Sequence, residues 1–213
     1  MTRYSLPTLN WLDLPGGGPR FSLEEILDTA AAAGFRVGRP RRRHSRGSRR
    51  HRRDAARGGL ACTDVGILVL GPDAAADAER LATLARASGA TTCLVAWPAG
   101  VDGYSALEAS ADVLSANRVR LALEFFPYGA LPTLESALAA CEAVGWDRCG
   151  VLLDRWHFFH RGEPWNLLRS VINSLGYRGV ISAEVLSTTF REQEPLEGAR
   201  RLMNAFRTHW PVS

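Results

Sequence analysis

Apolar runs of strand length alternate along the chain with longer stretches in which apolar residues recur at helical spacing. The near-continuous apolar runs are typical of strands that are covered on both faces of a parallel sheet. They predict strands at 4–9, 61–70, 91–97, 119–126, 149–154 and 179–186. The first helix opens at the capping box Ser22–Glu25 and ends before Gly34. The remaining periodic stretches predict helices at 74–88, 104–116, 131–144, 164–175 and 195–207.

Helix-ending residues recur about every 28 residues, which indicates repeated strand–helix units and a parallel sheet. These residues are Gly34, Gly59 (or Gly58), Gly89, Asn117, Gly145 and Gly176. Right-handed crossovers would roll such units into a barrel or an open doubly wound sheet. The chain carries neither G-x-G-x-x-G after its first strand nor a P-loop motif, which argues against a dinucleotide-binding fold and a P-loop fold. The predicted fold class is α/β, a TIM-barrel-like (βα) repeat that is incomplete, with about seven units against the usual eight.

Charge changes this picture in one place. The 213 residues suit a single globular domain and carry a net charge of +4, and all 26 basic residues are arginine. Eleven arginines fall between Arg36 and Arg57, where Asp54 alone opposes them, so the rest of the chain sums to −6. This tract stands where the second repeat unit belongs, and it could bind a polyanion in a salt-dependent way or form a loose basic loop. It has no aromatic residue for base stacking, so nucleic-acid binding is the weaker alternative, tested by a gel shift at low salt.

The four cysteines show no C-x-x-C spacing and lie on apolar runs, which predicts buried, reduced thiols in a cytoplasmic protein. No stretch approaches 18 consecutive apolar residues, and no secretory signal pattern opens the chain. We therefore expect no membrane partner.

Three carboxylates lie near the carboxyl ends of successive predicted strands, 30 residues apart: Glu124, Asp154 and Glu184. In parallel βα sheets these ends meet at one rim, and converging carboxylates need a cation between them, with Mg²⁺ or Mn²⁺ favoured by oxygen ligands. His157 could be a further ligand or hold a substrate oxygen. The alternative for any one carboxylate is a solvated residue or an arginine partner, and for His157 it is packing among the aromatic residues beside it.

The stretches LALEFFP (121–127), GVLLDRWHFFHRGEPWNLL (150–168) and GVISAEVLS (179–187) resemble the sugar phosphate isomerase/epimerase family of xylose isomerase-like TIM barrels. That group includes hydroxypyruvate isomerases, ketose 3-epimerases and inosose dehydratases. The likeness covers most of 1–35 and 60–213. It implies one xylose isomerase-like TIM-barrel domain over 1–213, with an aberrant basic segment at 36–58.

The resemblance also implies roles. Glu124, Asp154 and Glu184 match three of the family's divalent-metal ligands, and the two glutamates move protons next to the substrate carbonyl. His157 matches a substrate-contacting histidine. The implied activity is isomerisation or epimerisation of a small sugar or hydroxy-ketone through an enediolate. Dehydration at the same metal site is the nearest alternative, and a metal-dependent endonuclease of the same superfamily would need more histidines.

The chain departs from the family in two places. A βα unit that brings a fourth metal ligand, generally histidine, and often a substrate arginine is absent before the last glutamate. This predicts impaired activity or a non-catalytic relative, and an open sheet edge prone to self-association. Residues 37–58 stand where strand 2 and its helix belong, and we hypothesise that they are an out-of-frame stretch, which the other two reading frames of the DNA would test.

Overall fold

The computed structural model describes residues 3–7, 9–12, 21–35, 37–39, 60–154, 157, 179–185 and 187–209. They belong to two compact units, one made of Met1–Thr63 with Tyr177–Ser213 and the other of Asp64–Gly176. The predicted helix at 164–175 and most of the basic segment 36–58 lie outside the described residues. That 1–213 forms a single domain stays a prediction.

Strands and helices alternate along the chain as the apolar pattern predicts. In chain order the described elements are β1 (Arg3–Pro7), α1 (Leu9–Leu12), α2 (Leu23–Ala32), β2 (Val37–Arg39), β3 (Ala61–Cys62), β4 (Asp64–Val69), α3 (Ala74–Ser88), β5 (Thr92–Ala96), α4 (Tyr104–Ala116), β6 (Arg120–Glu124), α5 (Leu134–Val144), β7 (Cys149–Leu152), β8 (Val180–Ser182), α6 (Thr188–Arg191) and α7 (Pro195–His209).

The first unit contains a four-stranded sheet in the order β3-β2-β1-β8, and every pairing in it is parallel. Helices α2 and α7 pack beside it around a core that includes Leu6, Trp11, Ile26 and Phe35. Helix α2 begins at the predicted capping box. The Ser22 side chain accepts from the backbone N–H of Glu25, and the Glu25 side chain accepts from the backbone N–H of Ser22.

The second unit contains a four-stranded sheet in the order β4-β5-β6-β7, again parallel throughout. Its strands carry side chains that are fully buried, among them Val65, Cys93, Val95 and Leu123 at 0% exposure. The strand register places these four side chains on the same face of the sheet, which is therefore a fully covered face. Helices α3, α4 and α5 bury small residues, including Ala78, Ala82, Ala111, Ala137 and Ala140.

Two predictions about the strands need correction. The apolar run 61–70 forms two strands that belong to different sheets, because pairing changes partner at Thr63. The basic tract was not predicted to contain a strand, yet Val37–Arg39 pairs in parallel with β1 and with β3. Backbone hydrogen bonds on both sides form this strand without an apolar pattern. The described chain therefore has eight strands, and its parallel α/β class is confirmed.

None of the four cysteines forms a disulfide in the structure. Cys93, Cys141 and Cys149 are buried, whereas Cys62 is half-buried, so the prediction of burial is wrong for that residue. The sulfur atoms of Cys141 and Cys149 lie 3.5 Å apart. Their hydrogen bond raises the pKa of Cys149, which burial raises further, and it lowers the pKa of Cys141. In the described part of the chain, no helix has the length and apolar character that crossing a bilayer requires.

Candidate metal centre

The second unit brings two of the predicted carboxylates to the same edge of its sheet. Glu124 is the last residue of β6, where it pairs in register with Leu152 of β7. Asp154 follows two residues beyond that partner. Because β6 and β7 run parallel, both carboxylates lie at the carboxyl ends of the strands, the edge at which active sites form in βα proteins.

His157 joins these carboxylates. Its Nε2 atom lies 3.5 Å from Oε1 of Glu124, and its backbone N–H donates to Oδ1 of Asp154 at 3.4 Å. One ligand atom from each of the three residues lies within 4.8 Å of the others. The sequence predicted that Glu124, Asp154 and Glu184 converge, whereas the group that the structure brings together in this unit is Glu124, Asp154 and His157.

The cluster is only partly open to water. The side chains of His157 and Glu124 are 14% and 19% exposed, and Asp154 is half-buried. Carboxylates held this close in a partly desolvated place repel one another unless a positive charge stands among them. A protonated imidazole or a divalent cation would provide that charge, and two carboxylate oxygens with one imidazole nitrogen are a ligand set that Mn²⁺ or Mg²⁺ accepts.

Two aromatic side chains next to the cluster were not predicted as site residues. The rings of Phe126 and Tyr128 lie 5.7 Å and 6.2 Å from the imidazole of His157, and they lie 5.5 Å from each other. Tyr128 is 66% exposed, so its ring is available to a ligand at this edge. The signal that could have found it is the sequence Pro-Tyr-Gly directly after a strand, which favours a tight turn.

That turn fixes the two rings. The N–H of Gly129 donates to the carbonyl of Phe126 at 3.0 Å, with Pro127 at the second position, where its fixed φ suits the turn. A Cβ on Gly129 would lie 2.5 Å from Cε2 of Phe126. A side chain at position 129 would therefore have to displace the Phe126 ring from its place over the turn and against His157.

The third predicted carboxylate belongs to the first unit. Glu184 is exposed and follows β8 by two residues, so it also stands past the carboxyl end of a strand. Its predicted part in metal binding and proton transfer stays a prediction. The structure thus brings three of the four predicted site residues together and places the fourth at an equivalent position of the other sheet.

No protein-family model and no curated protein matches this sequence. Solved structures do match it. A D-allulose 3-epimerase from Methylomonas sp., solved with D-allulose, is 12% identical with a TM-score of 0.76, and the match covers 98% of this chain and 97% of that protein. A xylose isomerase-like TIM barrel protein from Mycobacterium smegmatis, solved with magnesium, is 17% identical with a TM-score of 0.69 over 99% and 98% of the two chains.

A probable 3-DHS dehydratase, AsbF from Bacillus anthracis, is 12% identical with a TM-score of 0.76, and the match covers 96% of this chain and 98% of that protein. The chain spans 45% of a xylose isomerase-like TIM barrel/4-hydroxyphenylpyruvate dioxygenase fusion protein. At these identities the likeness establishes the fold and nothing finer. The chain has the fold of the xylose isomerase-like TIM barrel proteins and of a solved sugar phosphate isomerase/epimerase, and the predicted resemblance is confirmed at that level.

Proposed function

We propose that this protein is a metal-dependent isomerase or epimerase that acts on a small sugar or hydroxy-ketone. The observation that carries the proposal is the convergence of Glu124, Asp154 and His157 within 4.8 Å at the carboxyl ends of β6 and β7. The fold adds support, because solved proteins of this fold include a D-allulose 3-epimerase and an L-ribulose 3-epimerase.

The residues present fit a divalent cation. Two carboxylate oxygens and an imidazole nitrogen would hold Mg²⁺ or Mn²⁺, and the partial burial of Glu124 and His157 would strengthen their attraction to the ion. When bound, the ion supplies Lewis-acid stabilisation of negative charge on a substrate oxygen.

The side chains supply the rest of the proposed chemistry. Glu124 accepts a proton from the carbon next to a carbonyl, and Glu184 is the proposed donor that returns one, which would give an isomer or epimer through an enediolate. His157 holds a substrate oxygen or completes the set of ligands. Tyr128, exposed beside His157, offers an aromatic face to the substrate's C–H groups.

Dehydration is the second candidate. It begins with the same proton abstraction, and the enediolate then expels a hydroxyl group from the neighbouring carbon. A probable dehydratase shares the fold, which keeps this reaction open for the same cluster. The polyanion-binding alternative rests on the basic segment 36–58, which lies outside the described residues except for 37–39.

Metal binding tests the proposal first. The purified chain is stripped with EDTA and titrated with Mn²⁺, and free Mn²⁺ is measured by electron paramagnetic resonance. Glu124→Gln and Asp154→Asn should each weaken binding about 10-fold or more, because each removes a charged ligand. Glu108→Gln makes the same chemical change on the exposed face of α4 and should leave binding unchanged. If Glu124→Gln and Asp154→Asn both bind Mn²⁺ as the wild type does, the proposed metal site is refuted.

Proton transfer is tested without knowing the natural substrate. D-allulose and L-ribulose are incubated with the Mn²⁺-loaded protein in D₂O, and deuterium incorporation next to the carbonyl is followed by proton NMR. Exchange that disappears in Glu124→Gln supports the isomerase or epimerase, whereas loss of water from the sugar identifies a dehydratase. A chain that binds Mn²⁺ but catalyses neither reaction with these sugars would refute their place among its substrates.

A further inference from the structure

The segment that carries Glu184 is held by one buried side chain from the other end of the chain. Asn10, in α1, has no exposed surface. Its Nδ2 group donates to the carbonyl of Ala183 at 2.8 Å, and its Oδ1 atom accepts from the backbone N–H of Val185 at 2.9 Å. One amide therefore bonds the backbone on both sides of Glu184.

These bonds begin where the pairing of β8 with β1 ends. Pairing of β8 with β1 reaches Ser182, and the N–H of Ala183 still donates to the carbonyl of Ser5 at 3.1 Å. Beyond this point the backbone groups need other partners, since buried backbone groups are costly to leave unpaired. The primary amide of asparagine offers one donor and one acceptor side by side, so it extends the strand pairing past Glu184.

Asn10 is itself held in place. The next residue, Trp11, is 1% exposed and packs against Phe190 of α6, with the two rings 5.5 Å apart. Helix α1 thus presents Asn10 from a packed element rather than from a loose loop. The carboxylate of Glu184 is exposed, yet the backbone that carries it has hydrogen bonds on both sides. An exposed acid on an ordered backbone is the arrangement that a reacting group needs.

We propose that Asn10 is a positioning residue for the carboxylate of Glu184. The inference rests on the proposed function, because it matters only if Glu184 takes part in metal binding or proton transfer. A residue that only stabilised the fold would lower activity by lowering the folded fraction, whatever stands at position 184. A positioning residue acts through Glu184, so its effect disappears when Glu184 no longer has a carboxylate.

A double-mutant cycle separates the two roles. Asn10→Ala, Glu184→Gln and the double variant are compared with the wild type for Mn²⁺ dissociation constant, by the same titration, and for deuterium exchange into D-allulose. We expect Glu184→Gln to weaken one or both readouts about 10-fold or more, and Asn10→Ala to weaken the same readout several-fold. In the Glu184→Gln background, Asn10→Ala should add less than a 2-fold change.

Asn117→Ala is the matched control. It also removes an asparagine amide that donates to a backbone carbonyl, that of Val113 at 2.8 Å. This asparagine, however, lies at the carboxyl end of α4, before the start of β6. Thermal unfolding of every variant shows how far stability alone has changed. If Asn10→Ala does not fold, Asn10→Asp replaces it, since its carboxylate keeps the bond from Val185 and loses the one to Ala183.

Each outcome decides something. An equal loss from Asn10→Ala in both backgrounds, or no loss in a Glu184-dependent readout, overturns the positioning role and leaves the proposed function standing. If Glu184→Gln itself changes neither readout, Glu184 has no role for Asn10 to support and the inference falls with it. In that case Glu124→Gln and Asp154→Asn still report separately whether the metal centre exists.

Discussion

Asp154→Asn should stabilise the protein in the absence of a divalent ion and should remove most of the further stabilisation that the ion gives the wild type. The variant keeps the size of the side chain and removes one negative charge from a cluster in which the ligand atoms lie within 4.8 Å of one another. At 4.8 Å two like charges repel by about 3.5 kcal/mol at an effective dielectric constant of about 20, and by about 0.9 kcal/mol in water. Both carboxylates are half-buried, so the repulsion between them lies between these values.

Removing that repulsion should stabilise the protein in EDTA by roughly 1–3 kcal/mol. For a chain of about this length, each kcal/mol raises the unfolding midpoint by about 2–4 °C. Mn²⁺ should stabilise the wild type more than the variant and so reduce the variant's advantage. At about 100 times its dissociation constant, an ion stabilises the wild type by about 2.7 kcal/mol. If Asp154→Asn weakens binding about 100-fold, the same concentration adds only about 0.4 kcal/mol to the variant.

The assay is thermal unfolding followed by circular dichroism, in EDTA and again with Mn²⁺, for the wild type, Asp154→Asn and Glu108→Gln. In the control variant Glu108→Gln, Mn²⁺ should raise the unfolding midpoint by as much as it does in the wild type. Destabilisation of Asp154→Asn in EDTA together with an unchanged Mn²⁺ shift would refute the reasoning, because the carboxylate would then act as a structural hydrogen-bond acceptor and not as a ligand.

Other predictions concern the scaffold. Gly103→Ala should destabilise the second unit by about 1–3 kcal/mol in urea unfolding, because the new Cβ would lie 2.5 Å from Cε2 of the buried Trp97, and an unchanged midpoint would contradict that packing. Ser22→Ala should cost about 1 kcal/mol by the same measurement, since it removes the cap of α2. Hydrogen bonds from the backbone N–H and the hydroxyl of Ser22 lower the pKa of Glu25 below its ordinary value of 4.5. The capping box therefore stabilises the fold above pH 4.5, and this stabilisation is lost as the pH falls through the lowered pKa. Ser22→Ala removes the hydroxyl, so an NMR titration of this variant should show a higher pKa for Glu25. A thiol reagent should modify Cys62 first in the folded protein and the three buried cysteines only after unfolding, and rapid modification of all four would contradict the described burial.

The local elements could be predicted because their signals lie in neighbouring residues. The capping box at Ser22 has all its donors and acceptors within one turn, and the structure forms it as predicted. The ends of β6 and β7 follow from where the apolar runs stop, so Glu124 and Asp154 could be placed at strand ends, and parallel pairing then brought those ends to one edge. The start of α5 was predicted three residues early because Leu131 continues the apolar pattern, whereas Thr133 provides the cap.

Other features depend on residues that are far apart in the sequence. Nothing in an arginine-rich tract predicts a strand at Val37–Arg39, since the hydrogen bonds that form it come from β1 and β3. The packing of Tyr128 against His157 joins two loops that follow different strands.

The alternation of strands and helices, their caps and the acidic residues that follow the strands could be predicted from the chain, because periodicity and capping are interactions within a few residues. Three features depend on long-range packing: His157 meets Glu124, the run 61–70 divides between two sheets, and Asn10 bonds the backbone around Glu184. Those contacts depend on which backbone and side-chain groups remain unpaired once the sheets have formed, and that is a property of the packed chain.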